Sequence, residues 1–320
     1  MKRRGATPVT EPSRAPPVLA ATRFIVEAAD DGACLDRVLR AKLEGAPWTR
    51  VRRAIETGKV SVDGVRVTDA THKLGTGEAV ELDTRARSAS RNDETRVRLV
   101  HVDTQVVVVE KPALVSSVPF EPGERDTLID RTRTELQHRE HRSVPPLGIV
   151  HRLDKETSGL LVFARTLAAK RHLKQQFRFH SVERLYEAVV HGSVADARFE
   201  SRLVEDRGDG LRGSTDHRTL GQPAVTHVHR IEALSGATRI ECRLETGRTH
   251  QIRIHLSEAG HPLLGERVYI KGYAGPLLPA PRLMLHARTL GFVHPSRGER
   301  LAFESALPED FLAVLSVLRR

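Results

Sequence analysis

The chain has 320 residues, with 51 Lys and Arg against 41 Asp and Glu, a formal charge of +10. Hydrophobic residues make up 39% and charged residues 29%, too apolar for wholesale disorder and too charged for a membrane bundle. No run approaches the ~18 apolar residues of a spanning helix, the start lacks the apolar region of a secretory signal, and the two cysteines, Cys34 and Cys242, exclude a disulfide scaffold or a four-cysteine zinc site. Aromatics are only 4%, which argues against extended base-stacking platforms. The basic excess points to a polyanionic partner, and the cysteine usage to a reducing cytoplasm.

Along the chain, residues 1–21 are rich in Pro, Ala and Arg and read as a disordered basic tail. Residues 22–85 read as a small domain of two helices followed by short strands. Leu35, Val38, Leu39 and Leu43 recur at helical spacing. A second helix is expected from about Thr49 to Glu56, with Thr49 as its cap and Gly58 after its end. Val60 and Val62 alternate as a strand, Asp63-Gly64 makes a hairpin turn, and Val65 and Val67 return. Gly75-Thr76-Gly77-Glu78 makes a further turn before Val80 and Leu82. The second helix carries Arg50, Arg52 and Arg53, a set that suits either a phosphate backbone or an ordinary solvated face.

Residues 86–96 are small, polar and charged, and read as a linker. Residues 97–320 read as a larger mixed domain. Strands are expected at Val97–Val102, Val106–Val109, Leu160–Ala164, Tyr186–Val190, Thr226–Ile231, Thr238–Leu244 and Leu290–Val293. Thr166 is placed to cap a helix holding Leu167, Leu173 and Phe177. The segment 197–222 reads as a long loop around a weak hairpin.

Three stretches could carry chemistry. In PPLGIVHRLDKETSGLLVFART, residues 145–166, polar residues sit between a Pro-rich entry and a core strand. Asp154 there is either a turn former or a site residue. Ser158 beside His151 suggests a hydrolase only weakly, because no G-x-S-x-G elbow is present. In LETGRTHQIRIHLSEAGHPLLGERVY, residues 244–269, Gln251, Arg253 and His255 alternate with Ile252, Ile254 and Leu256, as on a half-buried strand or the entry to a helix. His250 and His255 lack the spacing of a metal pair, and no metal is expected. In ERLYEAVVHG, residues 183–192, Tyr186 shares a strand face with Ala188 and Val190. Cys242, on a face with Ile240 and Leu244, reads as core.

These three stretches, in this order, resemble the RluA-type pseudouridine synthases. HRLDKETSGLLVFA matches the family's H-R-L-D-x-x-T-S-G signature, RLYEAVVHG its tyrosine strand with Arg184 in the basic slot, and TGRTHQIRIHL with GHPLLGERVY its third motif. Glu110-Lys111-Pro112 and Leu285-His286-Ala287 support the match, which covers about 98–315. Two departures stand out: ALVSSVP, containing Ser116 and Ser117, follows Lys111-Pro112, and Glu266 replaces the usual Asp after Gly265. CLDRVL, WTRVRRAIETGKVSVDGVRV and LGTGEAVEL resemble the S4-like RNA-binding domain, with Asp63 where Asn is usual.

The resemblance implies an α+β fold on a bent, largely antiparallel mixed sheet, with a small N-terminal α/β RNA-binding domain. It implies an isomerase that detaches a uracil, turns it and rejoins it through C5. Atoms are conserved, so no cofactor is expected. The base must leave the stack to be reached. Asp154 is then the catalytic carboxylate, kept ionised by Arg253, with Arg248 as the alternative partner. Tyr186 packs on the flipped uracil, and Arg152 fills the space the base vacates. His151 and Thr157 shape the loop, and Leu285 supplies an apolar wall. Large-subunit ribosomal RNA is the favoured partner, transfer RNA the alternative, and a monomer without membrane contact the expected form. A non-catalytic RNA-binding protein is the competing class.

Overall fold

A computed structural model of the chain describes residues 19–43, 46–67, 69–84, 86, 96–120 and 124–319. The chain divides into two units, Met1–Glu94 and Thr95–Arg320. Almost all of the expected tail, 1–21, and most of the expected linker, 86–96, lie outside the described residues.

The first unit runs β1 (Thr22–Ile25), α1 (Leu35–Lys42), α2 (Trp48–Glu56), β2 (Val60–Val62), β3 (Val65–Val67) and β4 (Ala79–Leu82). Its antiparallel sheet has the order β1-β4-β2-β3. The helices were legible because Leu35, Val38, Leu39, Val51 and Ile55 form one apolar face, which joins Val60, Val80 and Leu82 in a single core. Asp63 and Gly64 both take positive φ, 49° and 76°, as a tight hairpin turn requires. Thr49 is not the cap of α2. The Pro47 carbonyl accepts the first helical bonds, from Arg50 and Val51, so the helix starts one residue earlier and Thr49 lies inside its first turn. Strand β1 precedes both helices and was not anticipated.

The second unit runs β5 (Arg98–Val102), β6 (Val106–Lys111), α3 (Leu128–Glu140), β7 (Gly148–Ile149), β8 (Ser158–Ala164), α4 (Leu167–Arg178), β9 (Glu183–His191), β10 (Ala197–Val204), β11 (Gly213–Ser214), β12 (Gln222–Leu234), β13 (Ala237–Leu244), α5 (Gln251–Glu258), β14 (Leu285–Val293), β15 (Arg300–Glu304) and α6 (Glu309–Leu318). Eleven strands form one mixed sheet of order β11-β10-β12-β13-β9-β14-β8-β6-β5, with β15 on β14 and β7 on β8. The pairing of β14 with β8 is parallel, and the other pairings are antiparallel. Register shifts at Leu99/His101, Arg230/Glu232 and Ala287/Thr289 are bulges, the device that bends a sheet.

The central strands are buried on both faces, which is why they read as continuous apolar runs. Val107, Val109, Leu161 and Phe163 face one core with Leu128 and Leu136 of α3 and Ile252 and Leu256 of α5. Val106, Val108, Leu160 and Val162 face the other, under Ala169 and Leu173 of α4. Thr166 caps α4 as expected, its hydroxyl accepting the Ala169 N–H at 3.1 Å. The hairpin expected in 197–222 is present as β10 and β11, and the segment is not a loop throughout. Its first eight residues form β10, which pairs along its length with β12 and carries the short β11 at the sheet edge. Among the described residues, no helix is long and apolar enough to cross a membrane.

The parallel contact of β8 with β14 depends on Gly159. Its φ is +114°, and an added Cβ would lie 2.2 Å from the Ala287 carbonyl oxygen. Gly159→Ala is therefore expected to cost about 3 kcal/mol or more. Gly298→Ala, at a φ of +72° and in open space, should cost only about 1 kcal/mol. Thermal or urea unfolding of the two variants checks the contrast.

Candidate active site

The loop after β7, the start of β9 and the turn from β13 into α5 converge on a cavity of about 1200 Å³. Asp154, Tyr186, Arg253, Arg152, His151, Thr157, Arg248 and Leu285 all line it. Segments about 100 residues apart in sequence are thus brought to one cleft. Arg50, Arg52 and Arg53 belong to the other unit. There, Arg52 is held at 2.8 Å by buried Asp36 and lies 5.4 Å from the Trp48 ring centre.

Asp154 stands in a turn closed by its own backbone, its carbonyl accepting the Thr157 N–H at 3.1 Å. Its carboxylate is turned to the cavity, where Arg253 Nη1 lies 3.6 Å from Oδ2 and His250 Nε2 3.9 Å from Oδ1. Arg248 is half-buried and donates instead to the Pro223 carbonyl at 3.1 Å. The loop is anchored from behind by Ser117, whose buried hydroxyl donates to the Leu153 carbonyl at 2.7 Å and accepts the Leu153 N–H at 3.1 Å. Lys111, fully buried, donates to the Pro112 and Lys155 carbonyls at 2.9 Å each. Burial pushes its ammonium down to about 7, against the pull of Asp154 and Glu156.

Arg253 is only 4% exposed and is held mainly by Glu266, not by Asp154. Its Nε and Nη2 donate to the two Glu266 oxygens at 2.7 and 2.8 Å. Glu266 in turn accepts backbone N–H groups from Arg267, Val268 and Tyr269 at 3.0, 2.8 and 3.2 Å. Burial works against both charges, but the mutual bonds hold Arg253 above and Glu266 below their ordinary pKa values. The fork leaves Nη1 aimed at Asp154 and, at 3.9 Å, Glu156. The alternating stretch around Arg253 is helix α5, and it showed no single apolar face because Gln251 to Leu256 are all buried. Gln251 fixes its start by accepting from Thr246 and the Arg248 N–H while donating to Val225 and Thr226.

Tyr186, 8% exposed, has its phenol pushed up by burial. His151 stacks on Phe177 with ring centres 4.5 Å apart, and its Nε2 accepts the Val162 N–H at 3.2 Å. The imidazole is therefore neutral, and burial beside Arg184 pushes it down to about 3. Arg184 is buried against Phe177 and donates to the Glu245 carbonyl. Its lining of the cavity gives the basic slot of the tyrosine strand a location.

Three lining residues of the α4 end, Lys174, Arg178 and His180, were not singled out in the sequence. The readable signal was a helix with four Lys or Arg residues and no carboxylate. A smaller cavity of about 500 Å³ shares Gly247, Arg248 and Thr249 with the first and extends toward β10.

The profile of RNA pseudouridylate synthases matches residues 105–258, and that of the S4 domain residues 35–80. The chain is 36% identical over 304 residues to ribosomal large subunit pseudouridine synthase D of Neisseria meningitidis serogroup A, covering 90% of this chain and 79% of that protein. It is 34% identical over 305 residues to the protein of that name from Pseudomonas aeruginosa, covering 90% and 93%. In fold it is similar to human RNA pseudouridylate synthase domain containing 4, with a TM-score of 0.58 and 24% identity over 69% of this chain and 92% of that one. The chain belongs to the RNA pseudouridylate synthase family, isomerases that convert uridine in RNA to pseudouridine.

Two outcomes follow from the site's charges. Glu266→Gln leaves the buried Arg253 without its counter-charge and should cost about 3–5 kcal/mol in chemical denaturation, with Glu266→Asp recovering most of it. For His151, the folded pKa lies below the unfolded one, so its contribution is complete above about pH 6.5 and is lost as pH falls toward the folded value of about 3. Stability should therefore decline on acidification from about pH 6.5, by up to about 1.4 kcal/mol per pH unit. His151→Gln, which keeps an acceptor but does not titrate, should remove that part of the decline.

Proposed function

We propose that this synthase isomerises uridine in large-subunit ribosomal RNA, with Asp154 as the catalytic carboxylate. The observation that carries the assignment is the Asp154 carboxylate facing a cationic cavity, 3.6 Å from a guanidinium anchored on its other side by Glu266. The names of the most similar relatives support the RNA class.

In this reading the target uridine leaves its stack and enters the cavity, at a cost of a few kcal/mol that is least in loops and bulges. Arg253 faces the Asp154 carboxylate at 3.6 Å and draws it toward the cavity. The carboxylate acts on the ribose C1′ or on the base, the glycosidic bond breaks, and the uracil turns and rejoins through C5. Tyr186 packs on the uracil and helps remove the C5 proton, the one proton that must depart. Leu285 forms an apolar wall, and exposed Arg152 takes the space the base vacates. His151 and Thr157 hold the loop. The reaction conserves atoms and needs no cofactor. Arg50, Arg52 and Arg53 in the S4 domain engage phosphates. The protein works as a monomer in the cytoplasm.

Tritium release from RNA labelled at uridine C5 tests the reading. Wild-type protein should release tritium from ribosomal RNA and not from transfer RNA. Asp154→Asn should lose turnover by at least about a thousandfold while RNA binding stays within a few fold. Full activity of Asp154→Asn would remove it from the chemistry. Release from transfer RNA instead would reassign the substrate, and tight binding without any release would favour a binding protein.

A further inference from the structure

The outward face of α4 has no explanation in the fold. Its sequence, LAAKRHLKQQFR, carries Lys170, Arg171, Lys174 and Arg178 and no acidic residue. Like charges three and four residues apart oppose helix formation, and cations near the helix start oppose its dipole. Ala169, Leu173 and Gln176 are buried and fix the register, which leaves Arg171, Lys174 and Arg178 together on the opposite, exposed face. Some exposed arginines elsewhere are paired, Arg300 with Glu183, Arg319 with Glu232 and Arg207 with Asp209. Among the described residues these three cations of α4 have no ion-pair partner. Lys174 and Arg178 line the catalytic cavity, so the stripe runs directly to its mouth.

At the end of the stripe stands Phe179, 67% exposed. Its backbone is ordered, the N–H donating to the Gln175 carbonyl at 2.9 Å. An exposed ring on a fixed backbone beside a row of unpaired cations is the combination that single-stranded nucleic acid uses, phosphates on the cations and a base on the ring. At about 1.5 Å rise per residue, Arg171 and Arg178 lie about 10 Å apart along the axis. That is about three phosphate-to-phosphate steps at the ~3.4 Å axial spacing of one stacked strand, within which three consecutive phosphates fall.

We propose that the exposed face of α4 is the track for the RNA strand flanking the target uridine, with Arg171, Lys174 and Arg178 on consecutive phosphates and Phe179 under a neighbouring base. This rests on the reading of the cavity as the uridine site, and it names the element that holds the strand once the target base has left the stack. Separation of strand from base at the mouth is what makes a single-strand track appropriate there.

The test uses the full-length protein and ribosomal RNA carrying tritium at uridine C5. Three forms are compared with the wild type: Arg171→Gln/Lys174→Gln/Arg178→Gln, the charge-keeping Arg171→Lys/Lys174→Arg/Arg178→Lys, and Phe179→Ala. Removing repulsion on an exposed helix face should leave thermal stability equal or higher, so loss of fold is not the expected cause of any defect. The Gln form should raise KM by roughly 10- to 50-fold near 0.15 M salt, and kcat should fall far less. Its plot of log kcat/KM against log salt should be shallower by about 2, from about 0.7 per lost phosphate contact. The charge-keeping form should restore both. Phe179→Ala should raise KM and leave the salt slope unchanged. A Gln form with wild-type KM and slope would overturn the proposal. If the wild type releases no tritium, the uridine reading fails instead, and the salt slope of RNA binding by the same variants, measured on filters, still decides whether α4 touches RNA.

Discussion

A guanidinium shared between two carboxylates holds the site together. Arg253 is nearly excluded from water, a position no lone cation tolerates. Glu266 makes it tenable with two charge-assisted bonds, and three backbone N–H groups of the following turn disperse the charge of Glu266 itself. Only after that neutralisation can the remaining nitrogen be spared for Asp154 at 3.6 Å. The looser contact is the informative one: a carboxylate already locked in a bidentate pair would have no freedom to engage another molecule. Glu266 is the anchor and Asp154 the free partner.

The rest of the unit supplies fixed edges for this arrangement. Strands β7 and β8 hold the two ends of the Asp154 loop, β8 buried on both faces, and Ser117 clamps its middle through both polar groups of Leu153. The two positions where the sequence departs from its family, Ser116-Ser117 and Glu266, are therefore not peripheral. Ser117 sets the backbone one residue before Asp154. Glu266 sets the side chain that faces it.

Much of this was legible because the signals were local. Apolar runs gave β6 and β8, Thr166 gave the α4 start, and the motif order brought Asp154, Tyr186 and Arg253 to one site. What was not legible depended on long-range contacts. Strand β10 alternates weakly and is followed by Asp and Gly turns, so its pairing with β12 is decided by a partner 20 to 30 residues away. Helix α5 was left open between strand and helix entry because all of Gln251 to Leu256 is buried, leaving no polar face to set a period. The partner of Arg253 lies thirteen residues away across a loop, a separation with no periodic signature. The cap of α2 was misassigned because Pro47 takes that position without a side-chain hydrogen bond.

The distance in sequence between the halves of the site also has a consequence in time. Asp154 is synthesised about a hundred residues before Arg253, and Arg253 before Glu266. A chain emerging from the ribosome therefore possesses its carboxylate loop long before it possesses the cation, and the cation before its anchor. The last strand against which the loop closes, β14, begins at Leu285 and emerges later still. Slow, non-local pairings of this kind complete a fold late. On the roles proposed for Asp154 and Arg253, the nascent enzyme is catalytically silent until nearly all of it has been made, its acidic and basic halves meeting only at the closing step of assembly.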